Sequence, residues 1–134
     1  MEFFSTFGGN PVACAAGLAV LDVLEEEGLP THAARVGECL LAGLRPLVER
    51  YPLVGDVRGS GLFLGMEMVR DRRTWEPAAL EAAHIVNRLR ERGILLGTDG
   101  PLHNVIKIRP PMPFDFDNAE LLVGEINNIL EADF

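Results

Sequence analysis

From Pro11 to Glu26 the chain is apolar at almost every position: Val12, Ala13, Ala15, Ala16, Leu18, Ala19, Val20, Leu21, Val23 and Leu24 leave a helix there with almost no polar face. Such a helix requires cover on all sides. One small domain supplies too little, so the pattern predicts a larger domain or a second subunit against it. Gly28-Leu29-Pro30 ends this segment. A second helix is predicted from about Thr31 to Arg50, with Val36, Leu40, Leu44, Leu47 and Val48 inward and Arg35, Glu38 and Arg45 outward. Pro46 is expected to kink it or break it early.

The period then changes from helical to alternating. Strands are predicted at Val54 to Arg58 and Leu62 to Val69, joined by a Gly59-Ser60-Gly61 turn into a hairpin with Leu62, Leu64, Met66 and Met68 on one face. A third helix from about Pro77 to Arg92 buries Ala82, Ile85, Val86 and Leu89 and stops at Gly93. Ile94 to Leu96 and Val105 to Ile108 read as strands around a mobile loop, Gly97 to Asn104. After Pro110-Pro111, Asp115 or Asp117 caps a last helix with Leu122, Ile126, Ile129 and Leu130 inward. The order is α-α-β-β-α-β-β-α, an α/β chain of the α+β type.

With 134 residues, 48% of them hydrophobic, the chain can close one core. Its net charge of -8 and scattered Lys and Arg argue against a nucleic-acid surface, and the longest apolar run is too short for a membrane span. Small molecules and other protein surfaces are the expected partners. Cys14 and Cys39 lack metal-ligand spacing and are expected as buried thiols in a reducing, cytoplasmic setting. His32, His84 and His103 fall in different elements and are assigned to surface or interface positions, with no metal site. Met1 precedes no basic segment, so no targeting peptide is expected.

Chemistry concentrates in two places. In Ser5-Thr6-Phe7-Gly8-Gly9-Asn10-Pro11, the glycines allow close backbone approach, Thr6 adds a hydroxyl, and Asn10 and Pro11 suit a helix start. That run fits either a phosphate cradle or an ordinary helix start. Lys107 and Arg109 stand two residues apart, on one face of a strand. They either recognise an anion, or are solvated or pair with carboxylates such as Asp115 and Asp117.

Three blocks, in order, resemble the class III pyridoxal-phosphate aminotransferases: Thr6 to Ala15, Gly55 to Val69 and Val105 to Met112. The resemblance covers nearly the whole chain and corresponds to the C-terminal part of a polypeptide several times longer. It is closest to the branch of alanine-glyoxylate aminotransferase 2-like enzymes and amine-phosphate phospho-lyases. It implies the C-terminal domain of a fold-type I enzyme, with residues 1–28 at the junction with a large domain and 29–134 as the small α/β domain.

The resemblance also implies roles. Thr6 corresponds to the residue that reaches the cofactor phosphate of the neighbouring subunit in a homodimer, with Ser5, Gly8 and Gly9 beside it. Lys107 stands where many members carry the arginine that binds the substrate carboxylate, and Arg109 follows it. The Schiff-base lysine and the acid facing the pyridine nitrogen lie upstream, so no catalytic residue is assigned in this chain. Lys107, its only lysine, does not match that position. The implied reaction is amino transfer between an amine or amino acid and a 2-oxo acid. The alternatives are phosphate elimination from an amino-alcohol phosphate, or a non-catalytic anion-binding or interaction module.

Overall fold

The computed structural model describes residues 4–134; Met1 and the next two positions of the 1–28 segment lie outside them. Helices α1 (Pro11–Glu26) and α2 (Leu29–Arg50) lead into strands β1 (Val54–Ser60), β2 (Phe63–Asp71) and β3 (Glu76–Pro77). Helix α3 (Ala79–Glu91), strands β4 (Gly97–Asp99) and β5 (Val105–Ile108), and helix α4 (Phe116–Asp133) complete the chain. The strands form one antiparallel sheet in the order β1-β2-β5-β4, with β3 added on β2. Helices α2, α3 and α4 pack together with the sheet around the core.

That core follows the two periodicities. Leu64, Met66 and Met68 of β2 and Ile106 and Ile108 of β5 are buried with Val36, Leu40, Leu44 and Leu47 of α2, Ile85 and Leu89 of α3, and Leu122, Ile126 and Ile129 of α4. Alternate residues of the central strands, Gly65, Glu67, Val105 and Lys107, are only partly buried. The sheet thus has a sealed helix-facing side and an opposite, more open side that carries Glu67 and Lys107.

Several boundaries differ from expectation. Helix α2 begins at Leu29 because Gly28, at φ 60°, turns the chain directly from α1 into the next helix, where Pro30 needs no hydrogen-bond donor. Pro46 neither stops nor shortens α2: Pro46 and Ala42 are both exposed, so water can serve the carbonyl left without its donor, while Leu44 and Leu47 anchor the core side. Pro77 is not helical but pairs with Val69 in β3, so α3 starts at Ala79.

The predicted strand at Ile94 to Leu96 is absent; the strand lies at Gly97–Asp99. The Gly93 amide donates to the Arg90 carbonyl and that of Ile94 to Leu89, a paired closure of α3 that commits these residues to the helix end. The loop expected from Gly97 to Asn104 is correspondingly shorter, and its last residue is buried, with Asn104 Nδ2 donating to the Met68 carbonyl at 2.9 Å. Asp115 caps α4, accepting from the Asn118 amide at 2.8 Å.

Helix α1 contains no buried residue within this chain. Cys14, on α1, is therefore exposed and Cys39 half-buried, so neither thiol is the fully buried one expected. No helix is long and apolar enough to cross a membrane, and among the described residues no three His, Cys, Asp or Glu side chains are placed to hold a metal ion.

Candidate functional site

The loop before α1 is organised by its own short-range bonds. Asn10 Oδ1 accepts from the Ala13 amide at 2.9 Å and Asn10 Nδ2 donates to the Phe7 carbonyl at 2.7 Å, so this side chain is a helix cap. Ser5 Oγ accepts from the Gly8 amide at 3.0 Å, and these two groups engage each other. Gly9 takes φ 74°, which suits glycine and turns the loop into the helix. Thr6 is exposed, and its hydroxyl has no hydrogen-bond partner among the described residues.

The Thr6 hydroxyl, unpartnered among these residues, fits a phosphate end of a cofactor, whereas the Gly8 amide is already held by Ser5 Oγ. The loop through Gly9 leads into the positive end of α1, where an anion is favoured, and position 9 has open space around it. Nothing in the loop fits the rest of pyridoxal phosphate. The sole lysine lies on β5, and no carboxylate occurs between Phe4 and Leu21.

The second candidate pair lies on the more open side of the sheet. Register places Lys107 opposite Gly65 on β2 and opposite Gly97 on β4, so a glycine flanks it on each side. Its ammonium donates to Asp99 Oδ2 at 2.8 Å. The carboxylate partner is therefore Asp99 from the neighbouring strand, not Asp115 or Asp117. The Lys107 hydrogen bond and then the Gly100 amide hold the Asp99 carboxyl below its ordinary value.

Strand β5 ends at Ile108, so Arg109 lies one residue beyond it. Lys107 and Arg109 nonetheless line the same groove of about 470 Å³, closed by Leu96, Pro110 and Phe114 and by Asn118 at the start of α4. Arg109 is exposed and has no ion-pair or hydrogen-bond partner among the described residues. No hydrogen bond among those residues joins the Thr6 loop to this pair.

Sequence reasoning missed Asp99, which it placed in a loop. The signal was present: the Asp-Gly step Asp99-Gly100 marks a turn between two strands, and that turn brings Asp99 beside β5.

Comparison with known proteins agrees with this architecture. Residues 2–130 match the family described as aminotransferase class-III. Over 91% of the chain the sequence is 48% identical to an alanine-glyoxylate aminotransferase 2 homolog from Arabidopsis thaliana, and over 96% it is 43% identical to an ethanolamine-phosphate phospho-lyase homolog from Caenorhabditis elegans. The chain spans 26% and 28% of the lengths of those relatives. Among solved structures, a phospholyase from Arthrobacter in complex with phosphoethanolamine superposes with a TM-score of 0.88 and 38% identity, covering 97% of this chain and 31% of that one. An amine transaminase from an uncultivated Pseudomonas species, in its PLP-bound form, gives 0.84 and 42%, covering 98% and 30%. By sequence along almost its whole length and by fold, the chain belongs to the class III aminotransferase family, and corresponds to part of a fold-type I enzyme.

Proposed function

We propose that this chain is the C-terminal part of a pyridoxal-phosphate enzyme that transfers an amino group between an amine or amino acid and a 2-oxo acid. The observation that carries the reading is the shared groove of Lys107 and Arg109, two cations that can hold a substrate anion, in a chain of this family. Residues 1–28 form the junction with a large domain and 29–134 the small domain. Thr6, with Ser5, Gly8 and Gly9 shaping its loop, holds the cofactor phosphate of the neighbouring subunit in a homodimer.

When bound, pyridoxal phosphate supplies the electron sink that lets a bond at the amine-bearing carbon break. The residues of this chain bind and orient. Thr6 would hold the cofactor phosphate through its hydroxyl, while Lys107 and Arg109 would fix the anionic far end of the substrate. Without a second lysine the chain alone turns over no substrate.

A second reading is phosphate elimination from an amino-alcohol phosphate. It is supported by Lys107, a point charge that suits phosphate as readily as carboxylate, and by the likeness to the Arthrobacter phospholyase. The test is made in the longer polypeptide. Thr6→Ala should lower cofactor affinity roughly tenfold or more, the worth of one charge-assisted hydrogen bond. With an α-amino acid, an uncharged amine and an amino-alcohol phosphate as substrates, consumption of 2-oxo acid marks the transaminase and release of phosphate the lyase. Unchanged cofactor affinity would reduce the loop to a helix start.

A further inference from the structure

Lys107 is not idle. Its ammonium lies 2.8 Å from Asp99 Oδ2, with side-chain exposures of 33% and 59%, and Asp99 Oδ1 accepts from the Gly100 amide at 2.8 Å. The turn at Gly100, with φ 81°, therefore holds the carboxylate independently of the lysine. Arg109, by contrast, makes no hydrogen bond or ion pair among the described residues and acts on Asp99 only through space. Because Gly65 and Gly97 flank Lys107, no side chain at either of those register positions obstructs a movement of its amine.

Two grooves meet at this lysine. Lys107 and Arg109 line the first, whereas Lys107 and Asp99 line a second, of about 490 Å³, with Arg58, Gly65 and Val105. Asp99 is absent from the lining of the first groove. The ammonium is thus bonded toward the second groove, while the anion it would share with Arg109 lies in the first. Arg58, the other cation lining the second groove, is already paired with two carboxylates, donating to Asp56 at 2.8 Å and to Glu67 at 2.7 Å.

We infer that Asp99 is a specificity-determining residue: an internal anion that occupies Lys107 and must be displaced before Lys107 joins Arg109 on a ligand phosphate or carboxylate. The inference rests on the reading of Lys107 and Arg109 as the substrate-anion site. Asp99 then sets the threshold for anion binding. A ligand without a negative charge leaves the Lys107–Asp99 pair closed.

The experiment uses the 134-residue chain and inorganic phosphate at constant ionic strength, with amide shifts of Gly100, Lys107 and Arg109 followed by NMR. Asp99→Asn keeps the oxygen that accepts from Gly100 but removes the charge. It should tighten phosphate binding roughly two- to fivefold, the strength of a half-exposed ion pair. Lys107→Ala and Arg109→Ala should each weaken binding, and in the Lys107→Ala background the gain from Asp99→Asn should shrink to the small share that Arg109 and Asp99 exchange through space. If Asp99→Asn weakens binding or leaves it unchanged while both cation variants weaken it, Asp99 merely positions the lysine, and the inference fails although the anion site stands. An equal gain with and without Lys107 would show general charge repulsion and would also overturn it. If neither cation variant alters phosphate binding, the anion site itself fails, and Asp99 with it.

Discussion

Gly37, within α2, lies so close to the backbone of Gly61 in the β1–β2 turn that a β-carbon at position 37 would fall inside the van der Waals envelope of the Gly61 carbonyl. The obstacle is backbone and cannot swing aside. Gly37→Ala should therefore push α2 off the hairpin and cost about 1–3 kcal/mol or more, as overpacking of a tight contact does. Urea denaturation measures it, and an unchanged midpoint would show that the helix and turn separate freely.

Arg72 closes the opposite end of the hairpin, where β1 begins and β2 ends. Its guanidinium donates to the carbonyls of Tyr51 and Val54, each at 2.8 Å, to that of Pro52 at 3.2 Å, and to that of Val48. Arg72→Met should destabilise the fold by about 1–2 kcal/mol, since it removes several charge-assisted bonds from carbonyls around the end of α2. Arg72→Lys should recover only part of this, because a point charge cannot reproduce the planar fork. Equal stability of the lysine variant and the parent protein would refute the geometric argument.

Acid should loosen the α3–α4 contact and the β2–α3 contact together. The hydrogen bond from His84, and then Arg88, holds the Asp133 carboxyl below its usual 3.8, while Arg70 holds that of Glu81 below 4.5. A depressed carboxyl contributes stability above its unfolded value and loses it as pH falls through the folded one. The urea midpoint should accordingly show little change from these groups between about pH 5 and 7 and decline below about pH 4.5. Asp133→Asn and Glu81→Gln should each flatten the decline, and high salt should diminish the difference because the cations of these pairs are well exposed and the carboxylates partly so. A slope identical in all three proteins would assign the acid limb to other groups.

Helix α1 exposes Val12, Leu18, Val20, Leu21 and Val23, and Ala19, Val20, Val23 and Leu24 line an apolar cleft with Leu29. An exposed apolar surface of this kind promotes association in water. The chain should form concentration-dependent oligomers in sedimentation experiments, and Leu18→Glu with Leu21→Glu should shift it toward monomer. A monomer at every concentration, with slow hydrogen exchange along α1, would contradict this.

The inward positions of α2, α3, α4 and β2 were legible in the sequence because periodicity is local. A residue three or four places on along a helix, or two along a strand, shares a face whatever the rest of the chain does. The capping of α1 by Asn10 and of α4 by Asp115 was legible for the same reason, each bond spanning three residues. So were the blocks that led to the family. What only the tertiary structure decided involves register between distant segments. The sequence around Ile94 to Leu96 carries strand-like residues, yet closure of α3 claims Ile94 and moves the strand to Gly97–Asp99. That displacement brings Asp99 beside Lys107, eight residues away, and makes the lysine's partner a neighbouring strand's carboxylate. Pairings of this kind depend on which residues face each other across a sheet, and a one-residue change in register would send the side chain to the other face.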